Sequence, residues 1–199
     1  MRVIAGKFRS RHLQSLKGLD LRPTSDRLRE TLFNILGELV AGSRFIDAFA
    51  GTGAVGIEAL SRGAREVVFI EKRASAVALI KKNIASLQIK EGARILAIDA
   101  LRALQTLAQE NSGSTARPQI LFLDPPYDHA ADYDRVLSFL GSATLLTEGN
   151  LVIAEHRRNF ALPEVVGKLQ SVRVLRQGDA ALSFYRLIKT IRVNDPASE

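Results

Sequence analysis

The chain has no cysteine among its 199 residues. That excludes a disulfide framework, thiolate metal sites and cysteine nucleophiles, and it suits a reducing compartment. No apolar run approaches the ~20 residues that a membrane-spanning helix needs. The start, Met1-Arg2-Val3-Ile4-Ala5-Gly6-Lys7, is charged too early to form a signal-peptide core. There are three histidines, His12, His129 and His156, and no grouping of metal-ligand residues, so no metal is expected. Internal repeats are absent as well. A soluble, cytoplasmic protein of one domain, free of membrane and metal, is the expectation, and the length suffices to bury a continuous core.

What the chain does have is positive charge, +7 in all, and most of it lies early. Residues 1–30 hold eight basic side chains, Arg2, Lys7, Arg9, Arg11, Lys17, Arg22, Arg27 and Arg29, against Asp20, Asp26 and Glu30, a local net of +5. Such a segment attracts phosphates and releases their counterions, although the same charge also serves as a solvated face. Val3, Ile4, Phe8 and Leu13 around Gly6 suit a short basic hairpin. Arg22-Pro23-Thr24-Ser25-Asp26 offers turn and N-cap residues ahead of Leu28, Leu32, Phe33, Ile35, Leu36 and Leu39 at helical spacing.

From residue 45 the pattern is strand, loop, helix, repeated. Strands are expected at Phe45 to Phe49, Val67 to Ile70, Arg94 to Ile98, Ile120 to Leu123 and Leu151 to Ala154. Helices are expected from the glycine loop to about Arg62, over 73–87 and over 100–109. Two β-rich runs near 171–176 and 181–188 would close the sheet as a hairpin. Alternation of this kind implies a parallel sheet covered by helices on both faces. Residues 111–118 read as a loop and 189–199 as a frayed tail. The expected division is a basic extension over 1–22, a main domain over 23–188 and the tail.

Ligands of open α/β sheets bind beyond the carboxyl ends of the strands. Four acidic residues stand there: Asp47, Glu71, Asp99 and Asp124. Gly51-Thr52-Gly53-Ala54-Val55-Gly56 satisfies GxGxxG, with Glu71 twenty residues after Gly51. Gly51 and Gly53 allow a tight turn and close approach to a ligand, and Glu71 would accept from ribose hydroxyls. Asp47, upstream of the glycines, would hold an ammonium but repel a pyrophosphate, which favours S-adenosylmethionine over NAD. Asp99 would accept from the adenine amine, or cap the helix that begins at Ala100. Lys72 and Ala100 complete the expected cofactor set.

Leu123-Asp124-Pro125-Pro126-Tyr127 carries the chemistry. The prolines end the ladder and stiffen the loop. The Asp124 carboxylate and the Pro125 carbonyl can then face one planar amine, raising electron density at its nitrogen and orienting it. Tyr127 offers a flat face on which a base can stack. The catalytic set is therefore Asp124, Pro125 and Tyr127. His129 could touch substrate but reads more plainly as a solvated loop histidine, His156 beside Arg157 and Arg158 could make an RNA or site contact, and His12 takes a place in the basic face.

The block Asp47-Ala-Phe-Ala-Gly-Thr-Gly-Ala-Val-Gly-Ile-Glu-Ala-Leu-Ser-Arg-Gly-Ala64 lies between Arg22-Pro-Thr-Ser-Asp-Arg-Leu-Arg-Glu-Thr-Leu-Phe33 and Asp124-Pro-Pro-Tyr127. Together with Arg2-Val-Ile-Ala-Gly-Lys-Phe-Arg-Ser-Arg11, these resemble the RsmD-type methyltransferases over residues 2–188. The chain departs from many of those proteins at Gln177-Gly178, where they carry an aromatic before the glycine. The resemblance implies a Rossmann-like class I methyltransferase, monomeric, with a mostly parallel seven-stranded sheet. It implies methyl transfer from S-adenosylmethionine to the N2 amine of a guanine in small-subunit ribosomal RNA, within the subunit or a late assembly intermediate. Arg2, Lys7, Arg9, Arg11, Arg22 and Arg27, with Arg29, would face that RNA. The alternatives are a DNA adenine-N6 or cytosine-N4 methyltransferase, for which the chain has little room, and an RNA-binding module that holds the cofactor without turnover.

Overall fold

A computed structural model describes residues 1–15, 25–110, 119–126 and 130–188. Its frame is an eight-stranded sheet in the order β3-β2-β1-β4-β5-β8-β7-β6. The first five strands are β1 (Arg44–Ala48), β2 (Glu66–Ile70), β3 (Ala93–Leu96), β4 (Gln119–Leu123) and β5 (Leu151–Arg157). They run parallel, and their near-continuous apolar sequences reflect burial on both faces. The strand order reverses between β1 and β4, the switch point at which a crevice opens.

Helices cover both faces of this sheet. On one face, α1 (Asp26–Leu36), α2 (Ala54–Ser61) and α3 (Ala74–Ser86) pack on a core that includes Phe45, Phe69, Phe122, Ile153 and Phe184. On the other, α4 (Ala100–Glu110) and α5 (Ala130–Ser142) pack on Ile46, Val68, Leu121, Leu123 and Val152. Ser25 caps α1 by accepting from Leu28 N–H. A Cβ on Gly56 would lie 2.3 Å from Phe69 Cε1, so this position lets α2 settle directly on β2.

The sheet differs from the expected seven strands. The closing runs form β7 (Leu169–Gln177) and β8 (Ala180–Leu187), and β8 pairs antiparallel with β5. The eighth strand is β6, only Val165–Val166, which folds back on Leu169 and Gln170 through a turn containing Gly167. So brief a strand leaves too short a period-two signal to see in sequence. The antiparallel part is therefore three strands.

Residues 1–15 fold back on themselves in antiparallel fashion, with Leu13 N–H donating to the Met1 carbonyl at 3.1 Å and Ser10 N–H to the Val3 carbonyl at 2.9 Å. A single antiparallel bridge joins Arg2 and His12, and Val3 N–H donates to the Arg11 carbonyl. The segment is also fastened to α2. Glu58 accepts from Ile4 N–H at 2.7 Å and Ala5 N–H at 3.0 Å, while Ser61 Oγ accepts from Phe8 N–H at 2.9 Å. Val3 and Leu13 join the core below. Among the described residues no helix is long and apolar enough to cross a membrane.

Candidate active site

Alternation along the strands decides which acids meet. Phe45, Phe69, Phe122 and Ile153 all face the α1–α3 side. Two residues further along each strand come Asp47, Glu71, Asp124 and Glu155, which the period of two carries to that same side. Four neighbouring strands, in the order β2-β1-β4-β5, thus deliver four carboxylates to one edge of the sheet.

Asp47 is 2% exposed, and its Oδ2 accepts from Gly56 N–H at 2.9 Å at the start of α2. Burial pushes its carboxyl up to about 7; the Gly56 N–H opposes this and the Glu71 charge adds to it. The glycine loop wraps this end of β1. Gly51 and Gly53 take φ of 54° and 77°, and Gly53 N–H donates to the Ala50 carbonyl at 2.7 Å. Glu71 reaches into the loop, accepting from Gly51 N–H at 3.0 Å. Burial opposes the Glu71 charge, but the bonds and charge of Arg73 and the Gly51 N–H outweigh it and hold the carboxyl below its ordinary range. Lys72 is exposed beside it.

Asn83 of α3, fully buried, braces the loop from below. Its amide donates to the Thr52 carbonyl at 3.1 Å and to the Gln14 carbonyl at 3.2 Å, and accepts from Gln14 N–H. One side chain therefore bonds both the N-terminal segment and the glycine loop.

Asp99 stands apart from the four. It follows the edge strand β3, caps α4 by accepting from Leu101 N–H at 3.1 Å, and lies 3.7 Å from Arg135 of α5. Ala100 behind it is buried.

Asp124 N–H extends the ladder to the Ala48 carbonyl, Pro125 is buried and Pro126 exposed. Burial, then the carboxylates of Glu155 and Asp47, drive the Asp124 carboxyl well above its ordinary range. A site so rich in acceptors suits groups that bring N–H donors or positive charge. Tyr127 and His129 lie outside the described residues, as does Arg22.

Arg2, Lys7, Arg9 and Arg11 are exposed on the N-terminal segment, and Arg27 is exposed on α1. Arg11 Nη2 donates to the Ser86 carbonyl at 3.2 Å. Arg29 departs from its expected place facing RNA. It is 0% exposed, its Nη2 donating to the Arg2 carbonyl and to Asp26, with Glu58 3.9 Å from its Nε. The helical period turns position 29 inward beside Leu28, Leu32 and Phe33, so it cannot face RNA. His156 is buried between Ser183 Oγ and the Arg157 carbonyl, and burial lowers its pKa, which makes it a structural imidazole.

Sequence reading misses Glu155, Arg73 and Asn83. Glu155 has a signal, since it follows the apolar run of β5 as Asp124 follows β4. Arg73 has only its place two residues after Glu71, to which it bonds, and Asn83 has none, because its contacts depend on the tertiary arrangement.

A family model described as Conserved hypothetical protein 95 matches residues 1–186. The chain is 36% identical over 186 residues to a Bacillus subtilis protein named "Putative rRNA methyltransferase YlbH", covering 94% of this chain and 98% of that one. It is 32% identical to Ribosomal RNA small subunit methyltransferase D of Escherichia coli, covering 94% and 89%. A solved structure of the Escherichia coli protein yhhF superposes with a TM-score of 0.77 at 32% identity, covering 94% and 97%.

Proposed function

The chain belongs to the Conserved hypothetical protein 95 family, and on that premise we propose that it methylates small-subunit ribosomal RNA at the N2 amine of a guanine, with S-adenosylmethionine as donor. The observation that carries the reading is the Asp124-Pro125-Pro126 turn, which closes β4 on the same sheet face as Asp47 and Glu71. The names of the relatives support ribosomal RNA as substrate class.

The described residues fit the cofactor. Asp47 is a buried carboxylate at the foot of the glycine loop and would meet the ammonium. Glu71 would take the ribose hydroxyls and Asp99 the adenine amine, with Gly51, Gly53, Lys72 and Ala100 lining the same end of the sheet. When bound, S-adenosylmethionine supplies a methyl group on a good leaving group. The chain's own residues then have a limited task. Asp124 and the Pro125 carbonyl accept from the two amine hydrogens, turning the nitrogen lone pair towards the methyl group. Tyr127 would stack on the base, which enters unpaired or flipped from its helix. Arg2, Lys7, Arg9, Arg11, Arg22 and Arg27 would hold phosphates of the surrounding RNA. The enzyme would work as a cytoplasmic monomer on the subunit or a late assembly intermediate.

Methyl transfer from labelled S-adenosylmethionine to unmethylated small subunits, naked ribosomal RNA and DNA tests this, with the labelled nucleoside identified by mass spectrometry. N2-methylguanosine from subunits is the expected product. Label on adenine, cytosine or DNA would retain the chemistry and overturn the substrate. Cofactor binding with no label anywhere would leave a holding module.

A further inference from the structure

Parallel pairing of β4 with β5 sets Leu123 opposite Ala154, so the next residues along, Asp124 and Glu155, are neighbours at the carboxyl edge. Both continue the sheet face that carries Phe122 and Ile153. Glu155 is 4% exposed. Its position is fixed from the opposite face: the Tyr133 hydroxyl of α5 donates to the Glu155 carbonyl, and His156 is locked by Ser183. On the other side, antiparallel β8 sets Leu182 opposite it. This is a rigid mounting for a carboxylate beside the Asp-Pro-Pro turn.

Base chemistry gives that placement a meaning. Adenine and cytosine each present an amine next to a ring nitrogen that accepts. Guanine presents its N2 amine next to N1–H, which donates. An Asp-Pro-Pro turn that takes the amine hydrogens serves all three bases alike. A second acceptor beside it matches guanine alone, because a carboxylate set against adenine N1 or cytosine N3 faces lone pair with lone pair.

We propose that Glu155 selects the base, accepting from guanine N1–H while Asp124 accepts from the N2 amine. This rests on the guanine-N2 reading and adds the residue that enforces it. Glu155 is then a specificity-determining residue, where Asp124 is the catalytic one.

The test uses 2-aminopurine, which keeps the N2 amine and lacks N1–H. Small subunits are reconstituted with RNA carrying guanine or 2-aminopurine at the position that wild-type enzyme labels. Turnover is measured for wild type, Glu155→Gln and Glu155→Asp, with S-adenosylhomocysteine binding as the check on folding. Wild type should favour guanine by about tenfold or more. Glu155→Gln, whose amide can donate to the ring nitrogen, should bring that ratio within about threefold. Glu155→Asp should fall between, and it decides the matter if the Gln variant fails to bind S-adenosylhomocysteine. A variant that binds S-adenosylhomocysteine and keeps the wild-type ratio would overturn the proposal, as would equal loss on both bases. If wild type labels a base other than guanine, the guanine-N2 reading falls too, and the product's mass separates that result from the others.

Discussion

Arg73 holds Glu71 at both oxygens. Oε1 accepts from Arg73 N–H at 2.9 Å and Nε at 3.1 Å, while Oε2 accepts from Arg73 Nη2 at 3.1 Å and Gly51 N–H at 3.0 Å. An ionised carboxylate has about four acceptor positions, so Glu71 is saturated. Ribose hydroxyls can bind it only by displacing the guanidinium, which is about a third exposed. Arg73→Ala is therefore expected to tighten S-adenosylmethionine binding by about threefold, and Glu71→Ala to weaken it by about tenfold or more. Calorimetric titration of both variants checks this; weaker binding by Arg73→Ala would make the arginine part of the cofactor site.

Asp47 ties stability to pH. Its folded pKa of about 7 lies above the unfolded carboxyl value of about 3.9. The folded state thus holds the proton more tightly, and stability is lost as pH rises through that window, with the full penalty above about 7. Asp47→Asn carries no such penalty. Without cofactor it should melt higher at pH 8 by an amount equivalent to a few kcal/mol, on the order that such a shift implies, and match wild type near pH 4. Thermal melts at both pH values would show it, and equal melting at pH 8 would refute it.

The same residue should make cofactor binding pH-dependent. A cationic ligand favours ionised Asp47, so wild-type affinity is expected to climb between about pH 6 and 7.5. Asp47→Asn should bind weakly and with a flat profile over that range. A profile unchanged by the substitution would assign the dependence to another group.

Asp124→Ala should lower turnover by about a hundredfold or more while leaving S-adenosylhomocysteine binding within about threefold. Single-turnover assays on small subunits separate the two effects. Comparable turnover in the variant would remove Asp124 from the reaction.

Two arginines of the basic first thirty residues should behave oppositely. Arg9→Glu is expected to weaken subunit binding and lower its salt slope by about 0.7–0.9 for each phosphate no longer neutralised, without change in melting. Arg29→Ala should instead destabilise the fold by about 3 kcal/mol, since it strips a buried cation from Asp26 and Glu58. Salt-dependent binding and denaturant titration distinguish them.

The parallel strands are legible because each is a short apolar run that ends in an acid. Asp47, Glu71 and Asp124 can be named from that pattern, and the structure brings these three to one face. Asp99 follows the same pattern but caps α4, since β3 is an edge strand and its loop turns towards α5. Arg29 misleads because a count of charges carries no direction; only the helical phase of Leu28, Leu32 and Phe33 reveals that it points inward. Glu155 is easily passed over because β5 has no motif after it, although the rule that singles out Asp124 applies there too. β6 and the Asn83 brace depend on chain segments meeting, and no local pattern encodes them.

The docking of residues 4–14 onto α2 and Asn83 also has a consequence in time. Partners that are 53 to 69 positions apart cannot meet until the later one has been made. During synthesis at about 5–20 residues per second, the basic segment waits for seconds after it emerges, with Val3, Phe8 and Leu13 uncovered. In that interval it is a cationic, partly apolar peptide beside the ribosome that made it, and only the arrival of Glu58, Ser61 and Asn83 gives it a fixed shape.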